Sequence, residues 1–102
     1  MVGFTFGSLQ ASLPPSVALP WYEREDWPIL HQMFLERDAV SESYDVWKAR
    51  AVEAEARYLA QGYDVVRVIV RPESLLEWCS RHRRRIDLRA RHDFAQTHLG
   101  LD

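Results

Sequence analysis

Cysteine is nearly absent from this chain of 102 residues, in which Cys79 is the single example. One cysteine cannot form an internal disulfide bond, so the sequence does not indicate a small secreted domain held by cross-links. Long hydrophobic runs are absent too, because none approaches the ~18 residues that a membrane-spanning helix needs. We therefore expect a cytoplasmic protein without a membrane segment.

Motifs that carry catalysis or bind nucleotides are also missing. The chain has neither a glycine-rich phosphate loop nor a nucleophile elbow. Glu53 and Glu55 lie two positions apart, so on a helix their carboxylates point in different directions and cannot flank one substrate bond. The sequence therefore predicts no catalytic residues, no cofactor and no enzyme activity.

Four side chains superficially match a zinc ligand set, namely Cys79, His82, His92 and His98. Cys79 and His82 share a helix face because three residues nearly complete a turn. His92 and His98 are six positions apart, far from a whole number of turns, and the set lacks the paired spacing of structural zinc sites. We expect a buried thiol and exposed histidines, and no metal.

The composition is that of one folded domain. Hydrophobic residues make up 47% of the chain and aromatic residues 12%, which is enough for one core. Two glycines and three prolines interrupt the first 20 residues. We therefore predict an extended tail or strap at residues 1–20 and a single compact domain at residues 21–102.

The strongest local signal is a strand at residues 63–70, where valines alternate with other residues. One side carries Val66, Val68 and Val70, and the other carries Arg67, Ile69 and Arg71. A single strand leaves both edges unpaired and is not stable alone. We expect its partner to be a second copy of the chain, with the three valines as the dimer strand. Alternation at Val2, Phe4 and Phe6 leaves open a second, short strand within the chain.

Helical periodicity predicts two helices before this strand. The first begins at Asp26, with Pro28 in its first turn, and runs to about Arg37. The second is capped by Ser43 and stopped by Gly62. Its buried side is predicted to consist of Tyr44, Trp47, Ala51, Ala54 and Tyr58.

Two further helices are predicted after the strand. The third covers residues 72–83 and starts at Pro72, while the fourth is capped by Asp87 and runs to Leu99, before Gly100. The predicted order is helix-helix-strand-helix-helix. This order indicates a mostly helical α+β fold whose strand pairs across a homodimer.

The net charge of −2 hides an uneven distribution. Residues 1–66 contain five basic and ten acidic residues, whereas residues 67–102 contain eight arginines and five acidic residues. Such a split is typical of a basic surface for an anionic partner, or of two chains that meet acidic side to basic side. It is equally compatible with two solvated faces, so a protein partner and an anionic partner both stay open.

Arginines concentrate around the predicted turn between the last two helices, where guanidinium groups suit phosphate oxygens. They are Arg81, Arg83, Arg84, Arg85, Arg89 and Arg91. With the arginine-containing strand and the Pro72-Glu73-x-Leu75-Leu76 helix start, residues 65–99 resemble the ribbon-helix-helix family of DNA-binding dimers.

This resemblance implies paired strands in the major groove of DNA. The residues it implies as readers of bases are Arg67, Ile69 and Arg71, and Arg83, Arg84 and Arg85 are the candidate phosphate contacts. The chain departs from the family at the turn, where arginines replace a glycine-containing sequence. Nucleic acid is therefore an alternative partner.

A second resemblance rests on the Tyr44-Asp45-x-Trp47 helix, the Gly62 stop, the valine-rich strand and the Trp78-Cys79 pair. These features look similar to short uncharacterised bacterial proteins, and they imply no activity. We interpret the four tryptophans as core or interface anchors. The sequence thus favours a non-catalytic bacterial binding or accessory protein that acts as a homodimer. The alternative is a ribbon-helix-helix-like DNA-binding regulator, and an enzyme is the least favoured hypothesis.

Overall fold

The structure, a computed structural model, describes residues 15–37 and 43–99. The elements in chain order are strand β1 (Ser16–Trp21), a 3-10 turn (Arg24–Asp26), helix α1 (Trp27–Met33), helix α2 (Tyr44–Ala60), strand β2 (Asp64–Ile69), helix α3 (Pro72–Arg81) and helix α4 (Leu88–Thr97). The two strands form a parallel sheet. The mostly helical α+β class is therefore confirmed.

Strand β2 has a partner within its own chain. It pairs with β1 in parallel register, with Ser16 opposite Asp64 and Trp21 opposite Ile69. The premise that β2 lacks an internal partner is therefore wrong for one of its edges. The sequence does not indicate β1, because the strand contains Pro20 and follows Pro15 directly, and proline is rare inside strands. The second strand considered at Val2, Phe4 and Phe6 lies outside the described residues.

Three predicted helix boundaries are confirmed by their hydrogen bonds or backbone angles. The hydroxyl of Ser43 accepts the Val46 N–H at 3.2 Å at the start of α2. The carboxylate of Asp87 accepts the Ala90 N–H at 2.8 Å at the start of α4. After α2, Gly62 adopts a φ of 93°, in the region that glycine tolerates best.

Helix α1 differs from its prediction at both ends. Asp26 precedes the helix, but its side chain makes no capping hydrogen bond. One buried carboxylate oxygen of Asp26 instead lies 3.7 Å from Nη1 of Arg71. The helix ends at Met33, before the predicted Arg37, because Phe34 takes an extended backbone and its ring is buried in the core.

Helix α2 packs on the sheet through the side that was predicted to be buried. Its five predicted contact residues are half-buried, and no residue of this helix is fully buried. Because Arg67 of β2 pairs with Glu55 of α2, this helix covers the sheet face that carries Arg67. The opposite face of β2, which carries the valines, therefore lies on the other side from α2.

The core lies where α1, α3 and α4 meet the carboxyl ends of the two strands. Its buried members are Tyr22, Trp27, Leu30, Phe34, Val70, Leu75, Cys79, Ala90 and Phe94. Burial raises the pKa of the Cys79 thiol, which therefore stays protonated and packs as a small apolar group. Within the described residues, no helix has both the length and the apolar character that crossing a membrane requires.

The stop at Gly62 can be tested without steric interference. A Cβ at this position would meet no atom within 4 Å, so the cost of Gly62→Ala comes from the backbone angle alone. We expect Gly62→Ala to lower the free energy of unfolding by about 1–2 kcal/mol in urea denaturation. Gly62→Asn is the control and should cost less, because asparagine tolerates this conformation. Equal stability of the alanine variant and the unmodified protein would contradict the left-handed stop.

Candidate functional site

One edge of the sheet is open, and it belongs to β2. The N–H groups of Asp64 and Val70 donate to the carbonyls of Pro15 and Trp21, each at 2.9 Å. Successive residues of a strand point their backbone groups to opposite sides. The N–H and C=O groups of residues 65, 67 and 69 therefore point away from β1. Within the described part of the chain, no strand pairs with this side of β2.

The outer edge of β1 is covered at its centre and lacks an N–H donor near its end. The N–H of Ala18 donates to the side-chain oxygen of Gln96 at 3.3 Å, so helix α4 covers this edge. Pro20, the next residue whose backbone nitrogen faces outward, has no N–H to offer. Among the described strands, β2 therefore offers the more open edge for a further strand.

Exposed apolar side chains flank the open edge of β2. Ile69 is 44% exposed at the end of the strand. Val52 and Leu59 of α2 are also exposed, and helical spacing places them on the same side as Glu55. Since Glu55 holds Arg67, this side of α2 borders β2. The open edge is thus bordered by an apolar surface made of Val52, Leu59 and Ile69.

The three valines predicted as the dimer strand have different environments. Val66 and Val68 are half-buried on the sheet face away from α2. Val70 is 0% exposed and belongs to the core cluster with Leu75 and Cys79. The side chain of Val70 is therefore a core residue and cannot contribute to a surface between two copies.

The strand arginines implied as base readers are engaged within the chain. Arg67 donates from Nε and Nη2 to the two carboxylate oxygens of Glu55, each at 2.7 Å, and its guanidinium lies 4.0 Å from the centre of the Trp21 ring. The hydrogen bonds from Arg67 lower the pKa of Glu55. Arg71 donates to Glu23 at 3.1 Å. These contacts do not favour a role in reading bases.

The turn arginines are more accessible. Arg83 adopts a φ of 54°, so it takes the left-handed position that a glycine would fill, and its side chain is exposed. Arg84 pairs with Asp93 at 2.9 Å. Arg83 and Arg85 form no ion pair with any residue in the described ranges. The turn therefore presents two cations that no described residue neutralises.

An aromatic cleft of about 370 Å³ lies between β1, α1, α2 and α4. Its aromatic walls are Trp21, Tyr22, Trp27, Phe34 and Trp47. The rings of Trp27 and Trp47 are stacked with centres 5.8 Å apart, and Trp21 meets Trp47 edge-on at 5.4 Å. Such a surface suits planar apolar groups.

A buried arginine closes one end of this aromatic cleft. Arg91 is only 8% exposed, and its Nε donates to the Tyr22 hydroxyl at 3.0 Å. Its Nη1 donates to Glu36 at 3.0 Å, and its guanidinium lies 3.8 Å from the centre of the Phe34 ring. The second oxygen of Glu36 accepts the Leu88 N–H at 2.9 Å. This network therefore joins the end of β1, the segment after α1 and the start of α4.

The network fixes the protonation of its members. Burial raises the pKa of Tyr22 to about 12, so the phenol is neutral near pH 7. Partial burial alone would raise the pKa of Glu36, but hydrogen bonds from Arg91 and from the Leu88 N–H outweigh burial and lower it. Arg91 and Glu36 therefore form an ion pair with a neutral phenol beside it.

Sequence reasoning missed the aromatic cleft. Trp21 and Tyr22 lie at the boundary of the predicted tail, and Arg91 belongs to the arginines that the sequence places around the turn between the last two helices. The signal available in the sequence was the Trp21-Tyr22 pair directly after Pro20, because adjacent large aromatic residues seldom occur in a solvated tail.

The described residues contain no group of three or more histidine, cysteine, aspartate or glutamate side chains arranged to hold a metal ion. Comparison of the chain with protein-family models, curated proteins and solved structures finds no match. A function must therefore be argued from the open strand edge, the aromatic cleft and the exposed turn arginines.

The ion pair predicts a pH-dependent stability. The pKa of Glu36 is lower in the folded state than in the unfolded state. The carboxylate therefore stabilises the folded protein at pH values above the usual glutamate pKa. This stabilisation is lost as the pH falls through the pKa of Glu36 in the folded state. We expect Glu36→Gln to destabilise the protein more at about pH 7 than at about pH 3 in urea denaturation. Glu25→Gln, in the exposed turn before α1, is the control for removing one carboxylate. An equal cost of Glu36→Gln at both pH values would contradict the assigned ion pair.

Proposed function

We propose that this protein is a non-catalytic binding protein that acts as a homodimer, in which the outer edges of two β2 strands pair antiparallel. The observation that carries the proposal is the asymmetry of the sheet edges. Residues 65, 67 and 69 direct their backbone groups outward, whereas on the opposite edge Gln96 pairs with Ala18 and Pro20 has no N–H to offer. An open strand edge is a template for another strand.

A two-fold axis beside Arg67 gives a regular pairing. It sets Val65 opposite Ile69 and Val66 opposite Val68 of the other copy, so β-branched residues meet across the strands. The two Arg67 side chains come together at the axis, but each is already neutralised by Glu55. The result is a sheet of four strands in the order β1-β2-β2-β1.

The same arrangement predicts an assembly that stops at two copies. In the described part of the sheet, each chain contributes the open edge of β2, and both of these edges are used in the proposed dimer. The remaining edges are those of β1, which α4 covers. A two-fold interface of this kind is closed, so it does not lead to fibres. The exposed Val52, Leu59 and Ile69 border the proposed interface and supply apolar area for it.

The proposed dimer can be tested by changing two exposed isoleucines, one at a time, to lysine. Ile69, at the open edge, is 44% exposed, and Ile29, on α1, is 58% exposed. We expect the unmodified protein to sediment at about twice 12.0 kDa. Ile69→Lys should weaken self-association by a factor of about ten or more, equivalent to about 1.4 kcal/mol, because a charge is then buried at the strand edge. Ile29→Lys should leave self-association unchanged.

Two outcomes of this sedimentation experiment would overturn the dimer. One is a mass of 12.0 kDa for the unmodified protein at high concentration. The other is an equal effect of the two lysine substitutions, which would place the interface elsewhere or show a general effect of charge. Circular dichroism of both variants establishes that they are folded.

A second candidate function is binding to duplex DNA, favoured by the exposed Arg83, Arg85 and Arg89 around the turn between α3 and α4. Contacts of arginine with phosphate release counterions, so affinity should fall steeply as salt rises. Changing the three arginines to glutamine should reduce the slope of log affinity against log salt by about 2 to 3. The same change at Arg24, Lys48 and Arg57 is the control. Absence of binding at low salt would exclude this function.

A further inference from the structure

We infer that the aromatic cleft is a binding site for a planar aromatic carboxylate. This inference names a ligand class for the proposed binding function and rests on the protein being a binding protein, but it does not depend on the dimer. The site combines an apolar aromatic wall with one buried cation, and each feature selects one end of such a ligand.

The apolar end of the ligand follows from the size and walls of the cleft. A volume of about 370 Å³ lies at the lower end of the range for small-molecule pockets. Three indole rings contribute to its wall, and the stacked pair Trp27 and Trp47 offers flat surfaces. Aromatic rings pack best against other rings in offset or edge-on contacts. A ligand of about two fused rings matches this space.

The anionic end follows from the state of Arg91. Its Nε and Nη1 are used by Tyr22 and Glu36, which hold the guanidinium in place. Its Nη2 makes no hydrogen bond with any described residue, although Arg91 lines the aromatic cleft. The Tyr22 hydroxyl accepts from Arg91, so its own proton remains available as a donor. The two donors together suit one carboxylate group.

The charge around the cleft agrees with an anion. Arg37, Arg50 and Arg91 line the cleft, whereas Glu36 is the single carboxylate among the described lining residues. Glu36 is already satisfied by Arg91 and the Leu88 N–H. A neutral hydrocarbon would leave the Arg91 and Tyr22 donors unpaired in an apolar space, which is unfavourable. The cleft should therefore discriminate against ligands that lack the carboxylate.

The test is a calorimetric titration with 2-naphthoate and with 2-naphthalenemethanol, which has the same rings without the charge. We expect 2-naphthoate to bind about tenfold more tightly or better, because a hydrogen bond to a charged group is stronger than one to a neutral group. Quenching of tryptophan fluorescence should accompany binding, since Trp21, Trp27 and Trp47 line the cleft.

Two matched substitutions of leucine for alanine in α2 test the location of the site. Ala51 lines the aromatic cleft, whereas Ala49 is exposed and is not part of its lining. Leucine has a high helix propensity, so both substitutions preserve the helix. Ala51→Leu should fill the cleft and weaken 2-naphthoate binding by about tenfold or more, and Ala49→Leu should not change it.

Three results would overturn the inference. They are no binding of 2-naphthoate, equal affinity for 2-naphthalenemethanol, and equal loss of affinity in the two leucine variants. The titration is repeated with the Ile69→Lys variant, which separates this inference from the dimer. Binding of 2-naphthoate by a monomeric variant would support the ligand site and show that it does not need the dimer interface. A dimer that fails to bind 2-naphthoate would remove only the ligand site.

Discussion

Parallel pairing of β1 with β2 is the constraint on which the rest of this structure depends. Parallel strands cannot be joined by a tight turn, so the chain must travel back along the sheet before β2 can form. Helices α1 and α2 provide that return path. Because α2 crosses the face that carries Trp21 while α1 lies beyond the end of β1, the return path encloses the aromatic cleft. The connection required by the strands therefore also builds the candidate site.

The local elements followed from the sequence where a single residue decides the backbone. Ser43 and Asp87 cap helices with their side chains, and Gly62 takes a left-handed angle that other residues avoid. These signals act over three or four residues and need no tertiary context. For this reason the boundaries that they mark were predictable, and so was the contact side of α2.

The features that were not predictable depend on contacts between distant residues. β1 contains Pro20 and is stable as a strand only because β2 lies beside it and α4 covers its other edge. Arg91 reads as one of many exposed arginines, and its burial follows from contacts with Tyr22 and Glu36, which are 69 and 55 positions away. The aromatic cleft combines such distant residues, and the local Trp21-Tyr22 pair marks only one of its walls. Tertiary packing therefore decided both the sheet and the candidate site.

Trp21 connects the two surfaces that the structure offers for binding. One contact of its ring is with the guanidinium of Arg67, which belongs to the open edge of β2, and another is with Trp47 inside the aromatic cleft. A substitution at Trp21 would therefore disturb both surfaces at once and could not assign an effect to either. Ile69 and Ala51 each belong to one surface alone. Substitutions at Ile69 and Ala51, unlike one at Trp21, can therefore test self-association and ligand binding separately.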